Sequence, residues 1–223
     1  MGPALPPAPR ALAHATQVDR WPAGRFISRA HPHDFGSVQF DARSGAGSRF
    51  STIYHKGAVL PVLYGGEDNV AVASETIFQT VDLPTSTTRP RRVFLLKFLS
   101  WQWSTVETRR DLLLVRLDDD GLAQIGSSRG DLIEGLRSTY AFTRAWGEAI
   151  ATAVGRADGM WWYSRQAPDR WAVVLFQKAP GRSGGLRPGD LVDVGPALPF
   201  ALPAGTEQLD EIALRFDTTV VRP

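Results

Sequence analysis

The sequence predicts one mixed α+β domain that is rich in strands and has two main helices. Short runs of β-branched and aromatic residues, separated by turn residues, recur along most of the chain, as is typical of strand-rich domains. Helical spacing of apolar residues occurs in two segments, residues 70–81 and residues 138–155. The chain has 223 residues, which is enough to bury one sizeable core.

The first fifty residues are predicted to contain little regular structure. Residues 1–20 carry four prolines and no clear apolar period, so we expect a poorly ordered leader there, with order beginning near Trp21. A first strand is expected at residues 25–30, and it ends before Pro32 because the residue before a proline avoids the helical conformation. Residues 34–52 are rich in glycine and serine, which predicts a long loop.

The segment around which the chain is organised is predicted to be a strand, a turn and a helix. Residues 59–64 are β-branched and aromatic and form the strand. Gly65 and Gly66 are expected to break it. Asp68 or Asn69 can then cap the helix by accepting hydrogen bonds from its free N–H groups.

This helix has one buried stripe and one candidate functional carboxylate. The stripe consists of apolar residues at helical spacing, namely Val70, Ala73, Ile77 and Val81. Glu75 lies well round the helix from the stripe, with Val72 and Phe78 about one turn to either side of it. Glu75 is thus a carboxylate half shielded by apolar neighbours, just past a strand that ends in Tyr64, and it is a candidate catalytic residue.

The second half of the chain is predicted to continue the mixed pattern. Strands are expected at residues 112–117, 160–165 and 171–177, a helix at residues 138–155, and turns at residues 118–121 and 167–169. After Pro180 the composition turns to glycine and proline, with short strands expected at residues 191–194 and 211–216. We therefore expect a main domain at residues 21–179 and an extension, residues 180–223, packed on it.

Composition and charge limit the classes of function that the protein can have. The formal net charge is +2, too small for a nucleic-acid footprint, although residues 1–56 carry seven Lys or Arg against three Asp and could attract an anionic small molecule. There is no cysteine, which fits a cytoplasmic protein and removes disulfides and thiolate metal sites. A signal peptide is not expected, and the most apolar run, residues 93–103, is too short to span a membrane.

Three stretches of the chain resemble the RES domain, the toxin half of bacterial toxin–antitoxin pairs. They are FISRAHP with Arg29, VLYGGEDNVAVASETIFQ with Tyr64 and Glu75, and DGMWWYSRQAPDRWAVVLF with Ser164. The stretch SRFS with Arg49 resembles a further segment of that family. The resemblance covers residues 24–178. Each stretch is short, so the resemblance depends on the order and spacing of all of them.

The resemblance implies an ADP-ribosyltransferase-like fold and an enzyme that consumes NAD. It also implies a partner, an antitoxin with an Xre-like DNA-binding part that holds the toxin inactive. By this resemblance residues 21–179 form a RES-like NAD-binding catalytic domain. NAD would be the substrate, and a homo-oligomer is left open.

Cleavage of the nicotinamide–ribose bond would explain two of the residue types. The reaction expels a neutral ring and leaves a sugar cation, which a carboxylate such as Glu75 would stabilise in the transition state. The substrate's pyrophosphate carries two negative charges, and the forked guanidinium of Arg29 or Arg49 matches its oxygens better than a lysine would. Free N–H groups at the start of the helix after Gly66 could add contacts to the anion.

Three further residues would complete the pocket. Tyr64 could stack on the nicotinamide ring, and Ser164, at the end of an aromatic strand, could hydrogen-bond the ligand. Tyr54 is a candidate for a second ring contact. Without the resemblance each of these has an ordinary interpretation, for example Glu75 as a solvated helix carboxylate and Tyr64 as a core residue.

The alternatives differ in reaction class. The ADP-ribose acceptor can be water or phosphate, which makes a glycohydrolase or a phosphorylase, or a cellular protein, which makes an ADP-ribosyltransferase. A third hypothesis is a catalytically silent module that binds an antitoxin. A metal site is not expected, because His31, His33 and His55 have no acidic partner at ligand spacing.

Overall fold

The structure is a computed structural model that describes residues 12, 16–43, 47–79, 91–135 and 137–223. Most of the predicted leader and Val81 of the predicted stripe therefore lie outside the described residues. The described strands are β1 (Val18–Trp21), β2 (Phe26–Pro32), β3 (Ile53–His55), β4 (Ala58–Leu60), β5 (Val62–Gly66), β6 (Arg91–Phe94), β7 (Trp101–Thr108), β8 (Leu112–Arg116), β9 (Gly159–Tyr163), β10 (Trp171–Phe176), β11 (Leu191–Asp193), β12 (Leu198–Pro199) and β13 (Thr218–Val221). The α-helices are α1 (Asn69–Thr76), α2 (Asp119–Gln124), α3 (Arg129–Leu132), α4 (Tyr140–Ala153) and α5 (Pro203–Arg215).

One large mixed sheet dominates the fold. Its strand order is β1-β8-β9-β10-β5-β2-β7-β11, with β12 also paired to β7. Strands β8 and β9 run parallel, whereas the other pairs in this sheet are antiparallel. Two small sheets, β13-β6 and β3-β4, complete the described strands. The predicted α+β, strand-rich class is confirmed.

The side chains of the central strands alternate between two cores, because successive residues of a strand point to opposite faces of the sheet. Trp162, Val174 and Phe176 join the core on the face covered by α4, where they pack with Trp146 and Ile150. A second core on the opposite face collects their strand neighbours, Trp161, Val173, Leu175 and Leu63. A third core lies between α1 and α5 and includes Trp103, Phe200 and Leu209.

Helix α1 begins as the sequence predicts but is preceded by strand rather than by a turn. Asp68 caps it by accepting a hydrogen bond from the N–H of Ala71 at 2.9 Å. Gly65 and Gly66, expected to break the strand, instead pair with Val173 and Ala172 as the last residues of β5. A side chain at Gly65 would lie 2.3 Å from a methyl group of Ile27, so glycine is needed there for close packing of strands.

Residues 118–124 also differ from the sequence-based expectation. The expected turn at residues 118–121 is the start of α2, and Asp118 caps it by accepting a hydrogen bond from the N–H of Gly121. An aspartate next to a glycine is typical of both turns and helix starts, and here it serves the helix.

Both ends of the described chain also differ from the sequence-based expectation. Residues 211–216, predicted as a strand, belong mostly to α5, in which Leu209, Ile212 and Ala213 are buried at helical spacing. A short apolar run is compatible with a strand as well as a helix, and here the burial follows a period near 3.6. At the other end β1 begins at Val18, before the expected start of order near Trp21, and pairs with β8. No helix in the described ranges is long and apolar enough to cross a membrane.

Candidate active site

Glu75 and Ser164 form the centre of the candidate site. The carboxylate oxygen Oε1 of Glu75, in α1, accepts a hydrogen bond from the hydroxyl of Ser164 at 2.7 Å. The backbone N–H of Arg165 donates to the same oxygen at 3.3 Å. Ser164 lies just beyond the end of β9 and is fully buried, whereas Glu75 is half-buried. The pair therefore presents one partly accessible carboxylate, held from behind by a buried hydroxyl.

Ser74 extends this pair into a short chain of hydroxyls. Its hydroxyl lies 2.8 Å from that of Ser164 and 2.7 Å from the carbonyl oxygen of Ala71. Because Ser164 gives its single hydroxyl proton to Glu75, Ser74 acts as the donor toward Ser164 or toward Ala71. Ser74 is 2% exposed. It is a site residue that the sequence-based argument missed, although it stands directly before Glu75.

The loop after Ser164 is anchored to the end of α1. Arg165 donates to the carbonyl oxygen of Gln79 at 3.2 Å, and the amide of Gln166 donates to that of Phe78 at 2.7 Å. Phe78 and Gln79 lie just past Ile77, the C-cap of α1, so these side chains bind carbonyl groups of the turn that follows the helix. This anchoring fixes the distance between Glu75 and Ser164, and the sequence offered no periodic signal for it.

Tyr64, in β5, lies within electrostatic range of the Glu75 carboxylate. Its hydroxyl accepts a hydrogen bond from the N–H of Phe50 at 2.8 Å. Burial raises the pKa of the Tyr64 phenol above its ordinary value, a hydrogen bond from Ser48 opposes this, and the charge of Glu75 adds to the rise. The phenol is neutral at pH 7, and its ring packs edge-on against Trp162.

Arg49 brings a positive charge to the same region. It lowers the pKa of Tyr64, which places its charge within electrostatic range of that hydroxyl. One terminal nitrogen donates to the carbonyl oxygens of Leu132 at 3.0 Å and Gly135 at 3.3 Å, and the guanidinium lies over the ring of Tyr140. Its Nε is buried and has no hydrogen-bond acceptor among the described residues. Arg49, Tyr64, Glu75 and Ser164 thus converge on one region.

Arg29 is connected to this region through the main chain. From β2 its Nε donates to the carbonyl oxygen of Tyr64 at 3.1 Å. Its terminal nitrogens donate to three carbonyls of the loop that follows β2, those of Gly36, Ser37 and Gln39. Arg29 is 6% exposed, and its hydrogen bonds join that loop to the strand that carries Tyr64.

The carboxylates that act on Arg29 are those of Asp193 and Asp41. Burial lowers the pKa of Arg29 to about 10, and the carboxylates of Asp193 and Asp41 oppose that shift. The side chain remains charged at pH 7. Within the described ranges no ion pair or hydrogen bond joins it to Glu75. The structure therefore places Arg29 beside the site, with its donors directed to carbonyl oxygens.

Tyr54 is not brought to the other candidates. It is 43% exposed on β3, and its backbone N–H donates to Glu148 of α4 at 3.2 Å. No hydrogen bond or ring contact found in the described part of the chain links it to Tyr64, Glu75 or Ser164. Its two strand neighbours, Ile53 and His55, point inward, which leaves the tyrosine ring on the outer face of the hairpin.

The start of α1 is less suited to anions than the sequence suggests. The carboxylate of Asp68 already accepts from the N–H of Ala71, and Glu67 lies beside it. Both carboxylates lie within ion-pair distance of Arg170. Asp68 therefore competes with an incoming anion for one of the helix N–H groups, and Glu67, which accepts from the N–H of Trp171, adds a second negative charge nearby.

The ring of His31 is held by two hydrogen bonds within the fold. The ring of His31 hydrogen-bonds the hydroxyl of Ser104 at 2.8 Å and the carbonyl oxygen of Pro32 at 3.0 Å. Burial, together with the nearby charge of Arg29, lowers the pKa of His31 to about 4, so the ring is neutral at pH 7. No group of three or more His, Cys, Asp or Glu that could hold a metal occurs among the residues the structure describes.

The fold and the site together define a mixed α+β domain in which a half-buried carboxylate on a helix faces the end of a central strand. The family profile described as the RES domain matches residues 26–200, and the chain belongs to that family. The large mixed sheet with a few helices is consistent with an ADP-ribosyltransferase-like fold. At family level the chain is a toxin-like, NAD-related module. No curated protein and no solved structure matches it.

Proposed function

We propose that this protein cleaves NAD at the nicotinamide–ribose bond and acts as a toxin by depleting the cofactor. The observation that carries the proposal is the arrangement of Glu75, half-buried and held by the hydroxyl of Ser164 at 2.7 Å, in the electrostatic neighbourhood of Tyr64 and Arg49. This combination supplies a fixed negative charge, an aromatic ring and a positive charge, which match the sugar cation, the nicotinamide ring and the pyrophosphate.

The proposed step breaks the bond between the ribose C1′ and the nicotinamide nitrogen. The electron pair leaves with the nicotinamide, which becomes neutral, and positive charge develops on the ribose. Glu75 stabilises that charge most strongly in the transition state, because it is fixed beside the ribose before the charge develops. Water then adds to C1′ and releases a proton, which yields ADP-ribose. Phosphate as the acceptor would yield ADP-ribose 1″-phosphate instead.

The surrounding residues divide the remaining tasks. Ser164 is fully buried and donates to Glu75, so we assign it to positioning the carboxylate. Tyr64 offers its ring to nicotinamide, and Arg49, whose Nε lacks an acceptor in the described structure, is proposed to contact the pyrophosphate. Direct contact between Arg29 and the pyrophosphate, and between Tyr54 and a ring of the substrate, stay predictions.

The contacts of Arg29 support a positioning role in addition to any role in binding. Its guanidinium joins the carbonyl of Tyr64 to the loop at residues 36–39. Loss of these hydrogen bonds would leave the end of β5, which carries Tyr64, less firmly held. The two roles predict different results for a charge-conserving substitution of Arg29 by lysine.

The wider context of the proposal follows from family membership. We propose NAD as substrate without a metal, a cytoplasmic site of action, and inhibition by an antitoxin with an Xre-like DNA-binding part. Direct binding to nucleic acid is not part of the proposal, since the net charge of the chain is only +2.

The experiment is an NAD turnover assay on purified protein. The wild type should release nicotinamide, and Glu75→Gln, which removes the charge but keeps the shape, should lower kcat by at least about a hundredfold, equivalent to about 3 kcal/mol. Glu211→Gln is the matched control, because Glu211 is an exposed helix carboxylate on α5. Equal activity of Glu75→Gln and the control, with both variants folded, would remove the mechanism.

The fate of labelled ADP-ribose identifies the acceptor. Free ADP-ribose indicates a glycohydrolase, the phosphorylated product a phosphorylase, and label on a macromolecule an ADP-ribosyltransferase. Stable pairing with an antitoxin and no nicotinamide release at all would indicate the silent binding module and contradict the proposed function.

A further inference from the structure

A groove of about 560 Å³ lies at the opposite end of the sheet from Glu75. We name it the basic groove, and its walls are the end of β1, the turn between β7 and β8, the residues just before β9 and the segment 178–190. Asp158 lies in it, directly before β9, whereas Ser164 directly follows that strand. At about 3.3 Å per strand residue the two ends are about 20 Å apart.

The anionic side chains of the basic groove are all paired. Arg110 makes two hydrogen bonds to Asp158, at 2.8 and 2.9 Å, and one to Asp190 at 2.9 Å. Arg20 pairs with Asp111 at 2.5 Å. Each of the three carboxylates is therefore bound to an arginine, although Asp158 and Asp190 share the single charge of Arg110.

Three cationic side chains of the groove have no carboxylate partner. Arg156 and Arg187 are exposed, and in the described structure neither side chain makes a hydrogen bond or an ion pair. The ammonium of Lys178 donates only to the carbonyl oxygens of Arg182 at 2.5 Å and Ser183 at 2.7 Å. The groove as a whole has five cationic and three anionic side chains, a formal net charge of +2, which gives it a positive potential.

The wall that carries these cations is firmly built. The N–H groups of Ser183 and Gly184 both donate to the carbonyl oxygen of Gly155, and the N–H of Gly185 donates to Asp158 at 2.8 Å. A side chain at Gly184 would lie 2.2 Å from the carbonyl oxygen of Arg156, so the two segments pack backbone against backbone. Arg156 and Lys178 therefore project from a fixed frame.

We infer that the basic groove is a second anion site, separate from the proposed NAD site, and that it binds a small molecule carrying two linked phosphates. Its volume lies in the range of small-molecule pockets, about 300–1,000 Å³. The forked guanidinium groups of Arg156 and Arg187 match phosphate oxygens, and Lys178 adds a third charge. A formal net charge of +2, with three cations that have no carboxylate partner, suits two phosphates better than a single carboxylate.

The test is a calorimetric titration of the full chain with two probes, inorganic pyrophosphate and ADP. The wild type should bind at least one of them saturably and less tightly as salt rises. The double variant Arg156→Gln and Arg187→Gln should bind at least about tenfold more weakly, because two charge-assisted contacts to phosphate are lost. Arg92→Gln is the matched control, an exposed arginine on β6 that should leave affinity unchanged.

The outcomes separate this inference from the proposed function. Tighter binding of ADP would identify a nucleotide as the ligand, and equal binding would identify the linked phosphates alone. Absence of saturable binding to the wild type, or equal affinity of the double variant, would contradict the inference. The double variant should also release nicotinamide from NAD at the wild-type rate, and a parallel loss of turnover would show that the groove is not a separate site.

Discussion

Replacement of Arg29 by lysine separates a positioning role from direct substrate binding. Lysine keeps the positive charge but not the planar fork that reaches the carbonyls of Tyr64 and of the loop at residues 36–39. If positioning is the main role, Arg29→Lys should lower the stability of the fold and kcat together. If binding of the pyrophosphate is the main role, it should mainly raise KM.

The magnitude follows from the hydrogen bonds. The bond to Tyr64 is 3.1 Å long, Ser37 is a second close acceptor, and the contacts to Gly36 and Gln39 are longer, at 3.4 and 3.5 Å. Loss of one or two bonds from a buried charged group costs about 2–4 kcal/mol. For a chain of this size that cost lowers the Tm by about 5–15 °C.

The assay is thermal unfolding followed by circular dichroism, combined with the nicotinamide-release assay. Arg25→Lys is a suitable control, because Arg25 also lies near the start of β2 but its guanidinium stacks on Trp21 and is not buried against carbonyls. A Tm of Arg29→Lys within about 1 °C of the wild type, with a raised KM and an unchanged kcat, would refute the positioning argument.

Three further predictions test individual contacts. Ser164→Ala removes the hydroxyl donor to Glu75, the proposed catalytic carboxylate, and should lower kcat about 10- to 100-fold with little change in KM, measured by nicotinamide release. Tyr64→Phe leaves the buried N–H of Phe50 without its acceptor and should reduce the free energy of unfolding by about 1–3 kcal/mol in urea titrations, whereas no change would contradict that hydrogen bond. Burial alone raises the pKa of Asp158, but hydrogen bonds from Arg110 and two backbone N–H groups outweigh it, so the pKa lies below 3.8. The wild type should therefore lose stability as the pH falls below about 4, and Asp158→Asn should be less stable at pH 7 and lack that acid-dependent loss.

Local sequence patterns predicted much of the central sheet. The strands around Tyr64 and Ser164 were predictable because short β-branched and aromatic runs with turn residues between them favour strands. The cap at Asp68 was predictable from its position before an amphipathic segment. Helix α5 was not, since a short apolar run fits both a strand and one face of a helix until its packing partners are known.

Candidate residues of the site were found from the ordered stretches of a family resemblance, and their contacts came from the tertiary structure. Glu75 and Ser164 are far apart in sequence, so their hydrogen bond depends on how α1 lies against the end of β9. The tie between Arg165 and Gln79, which fixes that arrangement, has no pattern within either segment. The orientation of Arg29 toward backbone carbonyls was likewise beyond any argument from residue type.

The most direct test of the central claim is a crystal structure of Glu75→Gln with intact NAD. The uncharged variant should bind the dinucleotide without cleaving it. The account predicts the C1′ of the nicotinamide ribose within about 3.5 Å of the side chain at residue 75, with the nicotinamide on the ring of Tyr64. NAD bound with its nicotinamide ribose far from that side chain, for example in the groove beside Arg156, would contradict it.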